Sequence, residues 1–318
     1  MSDPMSEKLD IQGNIPAVVT PFNTGGDLVI DAFAEMVEWH LAEGADGICV
    51  AGDNGEAWAL PLEERRSLAE TAVKQVRGRV PVLMGTNAIT AKQSIQLAEI
   101  AATAGVDALL LQPQAYVLKG STEQIVRRYR MVAEAVPLPI VAYNSPRRTG
   151  LNMDPHTLSA VCDAAPVVAL KESSRDFFHV TLILESFSDR IAVLLGPSHF
   201  IIPGLALGGR GFISSGPELL GSSRKNIIEI AYESPSPRRR RLHFQLTKVY
   251  EALMGTGTWP AALKAALNMI GVQAGWPREP VSPLAPEEEQ NLKATMTKLG
   301  LISTERLEET GKSRRLMG

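Results

Sequence analysis

Eight short apolar runs, rich in branched side chains, alternate with longer amphipathic stretches along the first two thirds of the chain. The runs cover residues 15–20, 47–51, 80–85, 108–112, 140–143, 167–171, 192–196 and 211–214. Runs that are apolar throughout are typical of strands buried on both faces, as in a parallel sheet covered by helices. The alternation therefore predicts an α/β fold built from repeated strand–helix units.

The intervening stretches have the spacing of amphipathic helices, and several carry helix-start residues. Helices are predicted at 32–42, 63–76, 91–104 and 122–136. Asp31 precedes the first helix, Pro61 the second and Ser121 the fourth, while Asp154 and Pro155 precede a fifth. These residue types satisfy or tolerate the free N–H groups of a first helical turn, so they support the predicted boundaries.

Eight strand–helix units in series predict a (β/α)₈ TIM barrel. An open doubly wound sheet is the alternative, but the turn at 20–26 lacks the G-x-G-x-x-G cradle of that fold. Strand candidates end near Gly221, and helical patterns follow at 225–233, 239–254, 259–271 and 286–299. We therefore predict a catalytic barrel at 1–224 and a C-terminal helical appendage at 225–318, whose end, 303–318, is expected to fray.

Composition and charge exclude several classes of protein. The 318 residues are 45% hydrophobic and 21% charged, with a net charge of −3, which gives no electrostatic case for binding nucleic acid or a membrane. The arginine run 238–241 is more typical of a solvated helix start. Cys49 and Cys162 are too few for a disulfide framework. Without an apolar leader or a run of about 18 apolar residues, a cytoplasmic protein is expected.

Lys171 ends the apolar run 167–170 and stands directly before Glu172. A charged ammonium is costly inside a buried strand, and desolvation lowers the lysine pKa from about 10.4 toward neutrality. A neutral amine at that place is a nucleophile for a carbonyl group. Taken alone, a lysine that emerges into solvent is the more common situation, so the interpretation depends on its neighbours.

Those neighbours gather at the C-terminal ends of the strands, where barrels of this kind carry their chemistry. Tyr143 and Lys171 end consecutive strands, so a phenol can move protons beside the amine. The loop from Gly52 to Gly55 can offer backbone N–H groups to a carboxylate, and Arg148 can grip a second one. Each residue has an ordinary structural alternative; together they indicate a catalytic site.

Four sequence motifs resemble those of the dihydrodipicolinate synthase/N-acetylneuraminate lyase family, over about residues 11–301. They are Gly52-x-x-Gly55-Glu56, Tyr143-Asn144-x-Pro146-x-Arg148-Thr149-Gly150, Lys171-Glu172, and Leu207-Gly208-Gly209-Arg210-Gly211-Phe212-Ile213-Ser214. The resemblance implies a class I aldolase-type lyase on a (β/α)₈ barrel, assembled as a homotetramer or homodimer. Its substrate would be pyruvate or another 2-oxo acid held as a Schiff base, with no metal or organic cofactor.

The resemblance also implies roles for individual residues. Lys171 resembles the Schiff-base lysine, and Tyr143 resembles the tyrosine that relays protons. The remaining implied positions are the backbone of Asp53 and Asn54 for the pyruvate carboxylate, Arg148 for a second carboxylate, Gly196 and Ile213 as pocket lining, and Tyr116 and Glu56 as supporting residues behind the site.

Two departures from the family pattern bear on the substrate. Asp53 and Asn54 stand where the family usually has Thr or Ser, and a carboxylate near a substrate carboxylate is unfavourable unless Asp53 points away or is protonated. Ala115 stands where the synthase branch lends a tyrosine to a neighbouring subunit, with Tyr116 one position later. Both departures favour a sibling acting on another 2-oxo acid, such as a deoxy sugar acid or a hydroxyproline-derived imine, whereas Arg148 favours the synthase.

The resulting hypothesis is a lyase that catalyses aldol-type C–C bond formation or cleavage, or dehydration. The alternative within the family is the synthase proper, which condenses pyruvate with aspartate semialdehyde. A metal- or phosphate-dependent barrel lyase would need clustered ligands, and the five histidines show no zinc spacing; His199, above strand 7, is expected to be structural. The non-enzymatic alternative is a barrel that only binds a 2-oxo acid.

Overall fold

The computed structural model describes residues 9–302, except for the side chains of 222–225. Its eight parallel strands lie in the order β1-β8-β7-β6-β5-β4-β3-β2. A further parallel bridge between Ala17 and Cys49 joins the segment after β1 to β2 and closes the ring. The predicted (β/α)₈ barrel is therefore confirmed. The strands are β1 (Gly13–Asn14), β2 (Ile48–Val50), β3 (Val82–Gly85), β4 (Ala108–Leu111), β5 (Ile140–Asn144), β6 (Val167–Glu172), β7 (Ala192–Leu195) and β8 (Gly211–Phe212).

Helices follow the strands around the outside of the barrel and continue beyond it. They are α1 (Ile30–Ala42), α2 (Leu62–Val76), α3 (Ala91–Ala104), α4 (Thr122–Ala135), α5 (Pro146–Thr149), α6 (Pro155–Ala164), α7 (Phe177–Phe187), α8 (Ile201–Ala206), α9 (Ile227–Tyr232), α10 (Pro237–Met254), α11 (Ala261–Met269) and α12 (Pro286–Lys298). One apolar cluster fills the barrel, and a second packs the helices against the outer face of the sheet. Within residues 9–302, no helix has the length and apolar character that crossing a bilayer requires.

The first strand differs from its prediction at 15–20. Its regular pairing is confined to Gly13 and Asn14, against β8. The N–H of Ile15 still donates to Phe212 O (3.0 Å), but that of Val18 donates to Cys49 O (2.9 Å). Proline has no N–H to continue a ladder, and at position 16 the chain leaves β8 for β2. The predicted strand is thus the segment that closes the barrel.

Two of the predicted helix starts are true caps. The Ser121 hydroxyl accepts the N–H of Gln124, whose side chain accepts the N–H of Ser121 (3.0 Å). The Asp154 carboxylate accepts the N–H of Thr157 (2.7 Å). Asp31 differs, because α1 begins one residue before it. Its carboxylate therefore lies inside the first turn, where it complements the helix dipole.

No strand follows β8 within residues 9–302; the remaining elements are the helices α9 to α12. Helix α10 packs against α8 and α9, and α11 packs against α12. The boundary at residue 224 stays a prediction, and the expected fraying at 303–318 lies outside the described residues. Cys49, inside the barrel, and Cys162, on α6, are free thiols, and burial raises the pKa of each to about 11.

Candidate active site

A cavity of about 280 Å³ lies at the C-terminal ends of the strands. Its wall comes from β5, β6, the loops that follow several strands, and α10. The structure brings together along this wall the seven residues expected to contact substrate: Lys171, Tyr143, Asp53, Asn54, Arg148, Gly196 and Ile213.

Lys171 stands in register with Tyr143 on the adjoining strand. Its side chain is only 5% exposed, and Nζ lies 4.3 Å from the centroid of the Tyr143 ring. Burial lowers the pKa of Lys171, while Cys49 and Asp53 oppose that lowering and Arg148 reinforces it. Among the described residues, no carboxylate forms an ion pair with Nζ. The amine is therefore held in a form that loses its proton more readily than a free lysine does.

Asp53 links the tyrosine to the arginine. Its Oδ2 accepts a hydrogen bond from the Tyr143 hydroxyl (3.1 Å) and another from Arg148 Nε (3.0 Å). The carboxylate thus faces into the site, and its charge is compensated by Arg148. Burial, with the charge of Asp53 adding to it, raises the pKa of Tyr143 well above its ordinary value. The phenol therefore stays protonated and donates to Asp53.

Asn54 uses its side chain to fix the loop after β2. Its Nδ2 donates to Ala17 O and to Ser215 Oγ, both at 2.9 Å, and so joins the segments that follow β1 and β8. In residues 9–302, the backbone N–H groups of Asp53 and Asn54 have no protein acceptor. They are therefore available to a ligand carboxylate.

Gly196 and Ile213 shape the far wall. The N–H of Gly196 donates to Glu172 O (2.8 Å), and a side chain at position 196 would collide with Ser173. Glycine is required there by this close approach of two strand ends. Ile213 is buried, and its N–H donates to Leu195 O (3.1 Å), so its side chain gives the cavity an apolar patch.

Glu56 and Tyr116, which were expected to support the site from behind, both lie outside the cavity wall. Glu56 has a left-handed backbone (φ 54°), and its buried carboxylate pairs with Lys264 and accepts the N–H of Arg278 (2.8 Å). The attraction of that buried cation directs Glu56 away from the cavity. Tyr116, on the loop after β4, is 85% exposed with φ 70°, so its phenol faces the outside of this chain.

A buried polar group beneath Lys171 was not predicted. Glu172 Oε2 accepts from Asn144 Nδ2 (2.8 Å) and lies 3.5 Å from His179 Nε2, while Oε1 accepts the N–H of Ser174 (2.6 Å). Burial alone would lower the pKa of His179, but Glu172 and two further carboxylates outweigh it and raise that pKa. The group fixes the backbone that follows Lys171 and ties it to the end of β5 and to α7. The sequence contained a sign of this group, because Asn144 directly follows Tyr143 and Glu172 directly follows Lys171.

Further residues that sequence reasoning missed line the cavity. Among them are Ser145, Arg147, Ser173, Arg175, Ser215, Tyr250, Leu253 and Met254. Arg175 lies in the loop after β6, so its place at the same barrel end could have been predicted. Tyr250 and Met254 lie on α10, and no local pattern relates that helix to the strand ends. No group of three or more His, Cys, Asp or Glu side chains among the described residues is arranged to hold a metal ion.

Comparison with known proteins gives consistent similarities. The model of the dihydrodipicolinate synthetase family matches residues 10–299. A 4-hydroxy-tetrahydrodipicolinate synthase of Pelobacter propionicus is 33% identical over 291 residues, which is 92% of this chain and 99% of that protein. The crystal structure of dihydrodipicolinate synthase from Aquifex aeolicus matches with a TM-score of 0.86 at 29% identity, covering 92% of this chain and all of that one. A chloride-inhibited dihydrodipicolinate synthase from Acinetobacter baumannii, complexed with pyruvate, matches with a TM-score of 0.86 at 26% identity, covering 92% of this chain and 100% of the other.

Proposed function

Since the chain belongs to the dihydrodipicolinate synthetase family, and is thereby a class I aldolase-type lyase, we propose that Lys171 forms a Schiff base with pyruvate or another 2-oxo acid. One observation carries the proposal. The buried amine lies against the Tyr143 ring in a cavity at the catalytic end of the barrel, and no carboxylate in the described part of the chain pairs with it. Such a lysine has the lowered pKa that a nucleophilic amine needs.

The first step of the reaction adds the neutral amine to the 2-oxo carbon. The resulting carbinolamine takes a proton on its hydroxyl and loses water, which leaves an iminium ion on Lys171. The iminium accepts the electrons of a C–C bond that breaks, or of a C–H bond that loses its proton, on the neighbouring carbon, and either event leaves an enamine on Lys171. The enamine can then add to an electrophile or expel a protonated hydroxyl from the next carbon as water, without a metal. We propose the Schiff base as the covalent aid in place of a metal or organic cofactor.

Tyr143 and Asp53 would move the protons. The Tyr143 hydroxyl already donates to Asp53 Oδ2. When the phenol oxygen takes a proton from the substrate, its own proton passes to Asp53, so no tyrosinate accumulates beside the carboxylate. The reverse transfer gives a proton to the leaving group. In this scheme Asp53 takes the part of the Thr or Ser hydroxyl that the family usually has at this position.

The cavity favours a small acid. Its volume of about 280 Å³ lies near the lower end of the range for small-molecule sites. The N–H groups of Asp53 and Asn54 would hold the carboxylate next to the 2-oxo group. Arg148 uses Nε for Asp53, and in residues 9–302 no hydrogen bond involves its two terminal nitrogens, which would bind a further acceptor.

The second candidate is 4-hydroxy-tetrahydrodipicolinate synthase itself, acting on pyruvate and aspartate semialdehyde. The names of the curated relatives, 33% and 32% identical to this chain, favour it. Asp53 favours another member of the family, because its carboxylate already engages the arginine expected to bind the semialdehyde. Since these relatives are enzymes, the comparisons do not support the non-catalytic alternative. Assembly as a homotetramer or homodimer and a cytoplasmic location remain predictions.

Borohydride reduction tests the proposal. The full chain is incubated with pyruvate, reduced and digested, and peptides are analysed by mass spectrometry. We expect a reduced pyruvyl adduct on Lys171, and none when pyruvate is omitted. Lys264, which is also buried, serves as the internal control and should stay unmodified. An unmodified Lys171, or an adduct on Lys264 alone, would contradict the proposal. Turnover of pyruvate with aspartate semialdehyde or with deoxy sugar acids then separates the two candidates.

A further inference from the structure

We propose that Arg175, together with Arg147 from the same cavity wall, forms an anion subsite at the mouth of the cavity. This subsite binds a second negatively charged group of the substrate, a carboxylate or a phosphate, at the end remote from the 2-oxo group. The inference rests on the proposed Schiff base at Lys171. It names a substrate class, the 2-oxo acids whose far end is also anionic.

Positive side chains outnumber negative ones around the cavity. Its wall contains the guanidinium groups of Arg147, Arg148 and Arg175, but only one carboxylate, that of Asp53. Asp53 is engaged by Arg148. No carboxylate among the described residues pairs with Arg147 or Arg175. Two positive charges therefore remain uncompensated at the mouth, and a cleft of one sign attracts the opposite charge.

The backbone at Arg175 has an unfavourable conformation. Its φ of 62° lies in the left-handed region, which favours glycine and which a long side chain adopts only at a cost. The loop is held on both sides. Glu172 accepts the N–H of Ser174 (2.6 Å), and Asp176 accepts the N–H of Phe178 (3.0 Å) at the start of α7. A strained position that is fixed on both sides, and that presents a guanidinium to the cavity, indicates a functional role.

Uncharged groups hold the guanidinium of Arg175 in place. Arg175 lies 5.2 Å from the centroid of the Tyr250 ring, and its Nη2 donates to Met254 Sδ (3.1 Å). Both partners are uncharged and come from α10, so they orient the guanidinium without neutralising it. Its charge acts on the surroundings: burial lowers the pKa of His199, and Arg175 lowers it further.

The three arginines act on the same place. Burial raises the pKa of Tyr250, and Arg175, Arg147 and Arg148 each oppose that rise. Their positive charges are therefore all close to one phenol in the cavity wall. Asp53 compensates the charge of Arg148, which leaves Arg175 and Arg147 as the uncompensated positive charges for an anionic end of the ligand. An anion bound there would receive charge-assisted hydrogen bonds.

Charge-matched probes test the subsite without knowledge of the second substrate. Borohydride trapping at Lys171 of the full chain is measured against the concentration of 2-oxoglutarate, its phosphonate analogue 2-oxo-4-phosphonobutanoate, and 2-oxopentanoate, whose tail is neutral. We expect half-maximal trapping at a concentration about tenfold lower for the anionic probes, since a hydrogen bond to a charged group is worth roughly that factor or more. Comparison of the phosphonate with 2-oxoglutarate shows whether the subsite prefers a phosphate-like group or a carboxylate.

Substitutions assign the effect to Arg175. Arg175→Gln should raise the half-trapping concentration of the anionic probes about tenfold and leave that of 2-oxopentanoate within about twofold. Arg175→Gly removes the guanidinium and suits the left-handed backbone, so it gives the same answer if the glutamine variant folds poorly. Arg130→Gln, on the exposed face of α4, is the matched control and should change nothing.

The outcomes distinguish a failure of the anion subsite from a failure of the proposed Schiff base at Lys171. If no 2-oxo acid is trapped on Lys171, the proposed function fails and the subsite falls with it. If all three probes are trapped equally well, the Schiff base stands and the anion subsite is wrong. An equal loss for charged and neutral probes in both Arg175 variants would show a structural role and would also overturn it.

Discussion

Two lysines among the described residues are buried, in surroundings that share two features. Lys171 is 5% exposed and Lys264 is 1% exposed. Each Nζ lies over an aromatic ring, 4.3 Å from the centroid of Tyr143 for Lys171 and 4.6 Å from that of Phe22 for Lys264. Burial lowers the pKa of both, and that of Lys264 falls to about 8. Burial beside a ring therefore does not distinguish a catalytic lysine from a structural one.

The two lysines differ in their partners. Lys264 Nζ forms an ion pair with the fully buried carboxylate of Glu56 and also donates to Trp276 O. Lys171 has no carboxylate partner among the described residues, and its amine borders a cavity. A paired ammonium stays charged and fixed, whereas an unpaired one beside open space can lose its proton and react.

The structural lysine still serves the site, from behind. Glu56 follows directly on the loop that carries Asp53 and Asn54, and Lys264 lies on α11. Their ion pair fastens the C-terminal helices to the loop after β2, and the N–H of Arg278 adds a hydrogen bond to Glu56. A buried lysine is thus the proposed nucleophile at position 171, whereas the buried lysine at position 264 holds the loop after β2 in place.

Substitution of Lys171 by methionine tests whether this lysine is the reactive one of the two, and it has the largest expected effect. Lys171→Met should lower lyase turnover by at least about 10³-fold, because no other group replaces a lost nucleophile. Its free energy of unfolding should stay equal or rise, since an unpaired buried amine is exchanged for an apolar side chain of similar volume. Turnover and urea unfolding measure the two quantities; retained activity, or a large loss of stability, would contradict the assignment.

Substitution of Lys264 by methionine should give the opposite pattern. Lys264→Met leaves Glu56 buried without its cation, which is expected to lower the free energy of unfolding by about 3–5 kcal/mol. Urea unfolding measures the loss. Pyruvate trapping on Lys171 should persist in the fraction that remains folded.

The double variant Lys264→Met/Glu56→Gln is the matched control. It removes both charges, and the amide oxygen can still accept the N–H of Arg278. It should regain a large part of the lost stability. If the single and double variants are equally unstable, the ion pair is not the cause and lost packing around Lys264 is.

Much of the fold and the centre of the site could be predicted, because both depend on order along the chain. Consecutive parallel strands of a barrel are neighbours, so residues that end strands β5 and β6 must converge, as Tyr143 and Lys171 do. The pairing of Glu56 with Lys264 spans 208 positions. No local pattern carries such a contact, so the sequence suggested a supporting position for Glu56 but not the cation on α11 that holds it.

The partner of Asp53 was also beyond the sequence. From the sequence, a carboxylate near a substrate carboxylate is unfavourable unless it points away or carries a proton; Arg148 supplies a third solution by compensating its charge. Periodicity shows that α10 is a helix, yet it does not show that Tyr250 and Met254 reach the barrel mouth. Such contacts depend on how the helix docks, which tertiary packing decides.

The pH dependence of trapping sharpens the comparison and has the smallest expected effect. The neutral fraction of an amine at a given pH grows as its pKa falls, so the rate of pyruvate trapping on Lys171 should rise with pH. Its midpoint should lie below 10.5, the ordinary lysine value, because burial lowers the pKa of Lys171. The measurement is the initial rate of borohydride trapping at a series of pH values.

Two variants should move that midpoint in opposite directions. Asp53 opposes the lowering of the Lys171 pKa and Arg148 reinforces it. Asp53→Asn removes a negative charge and frees that of Arg148, so the midpoint should fall. Arg148→Gln leaves Asp53 uncompensated, so the midpoint should rise. A shift of both in the same direction would mean that the variants disturb the cavity and not its field. Opposite shifts would show that the lysine without a carboxylate partner is tuned by a pair of charges that it does not touch.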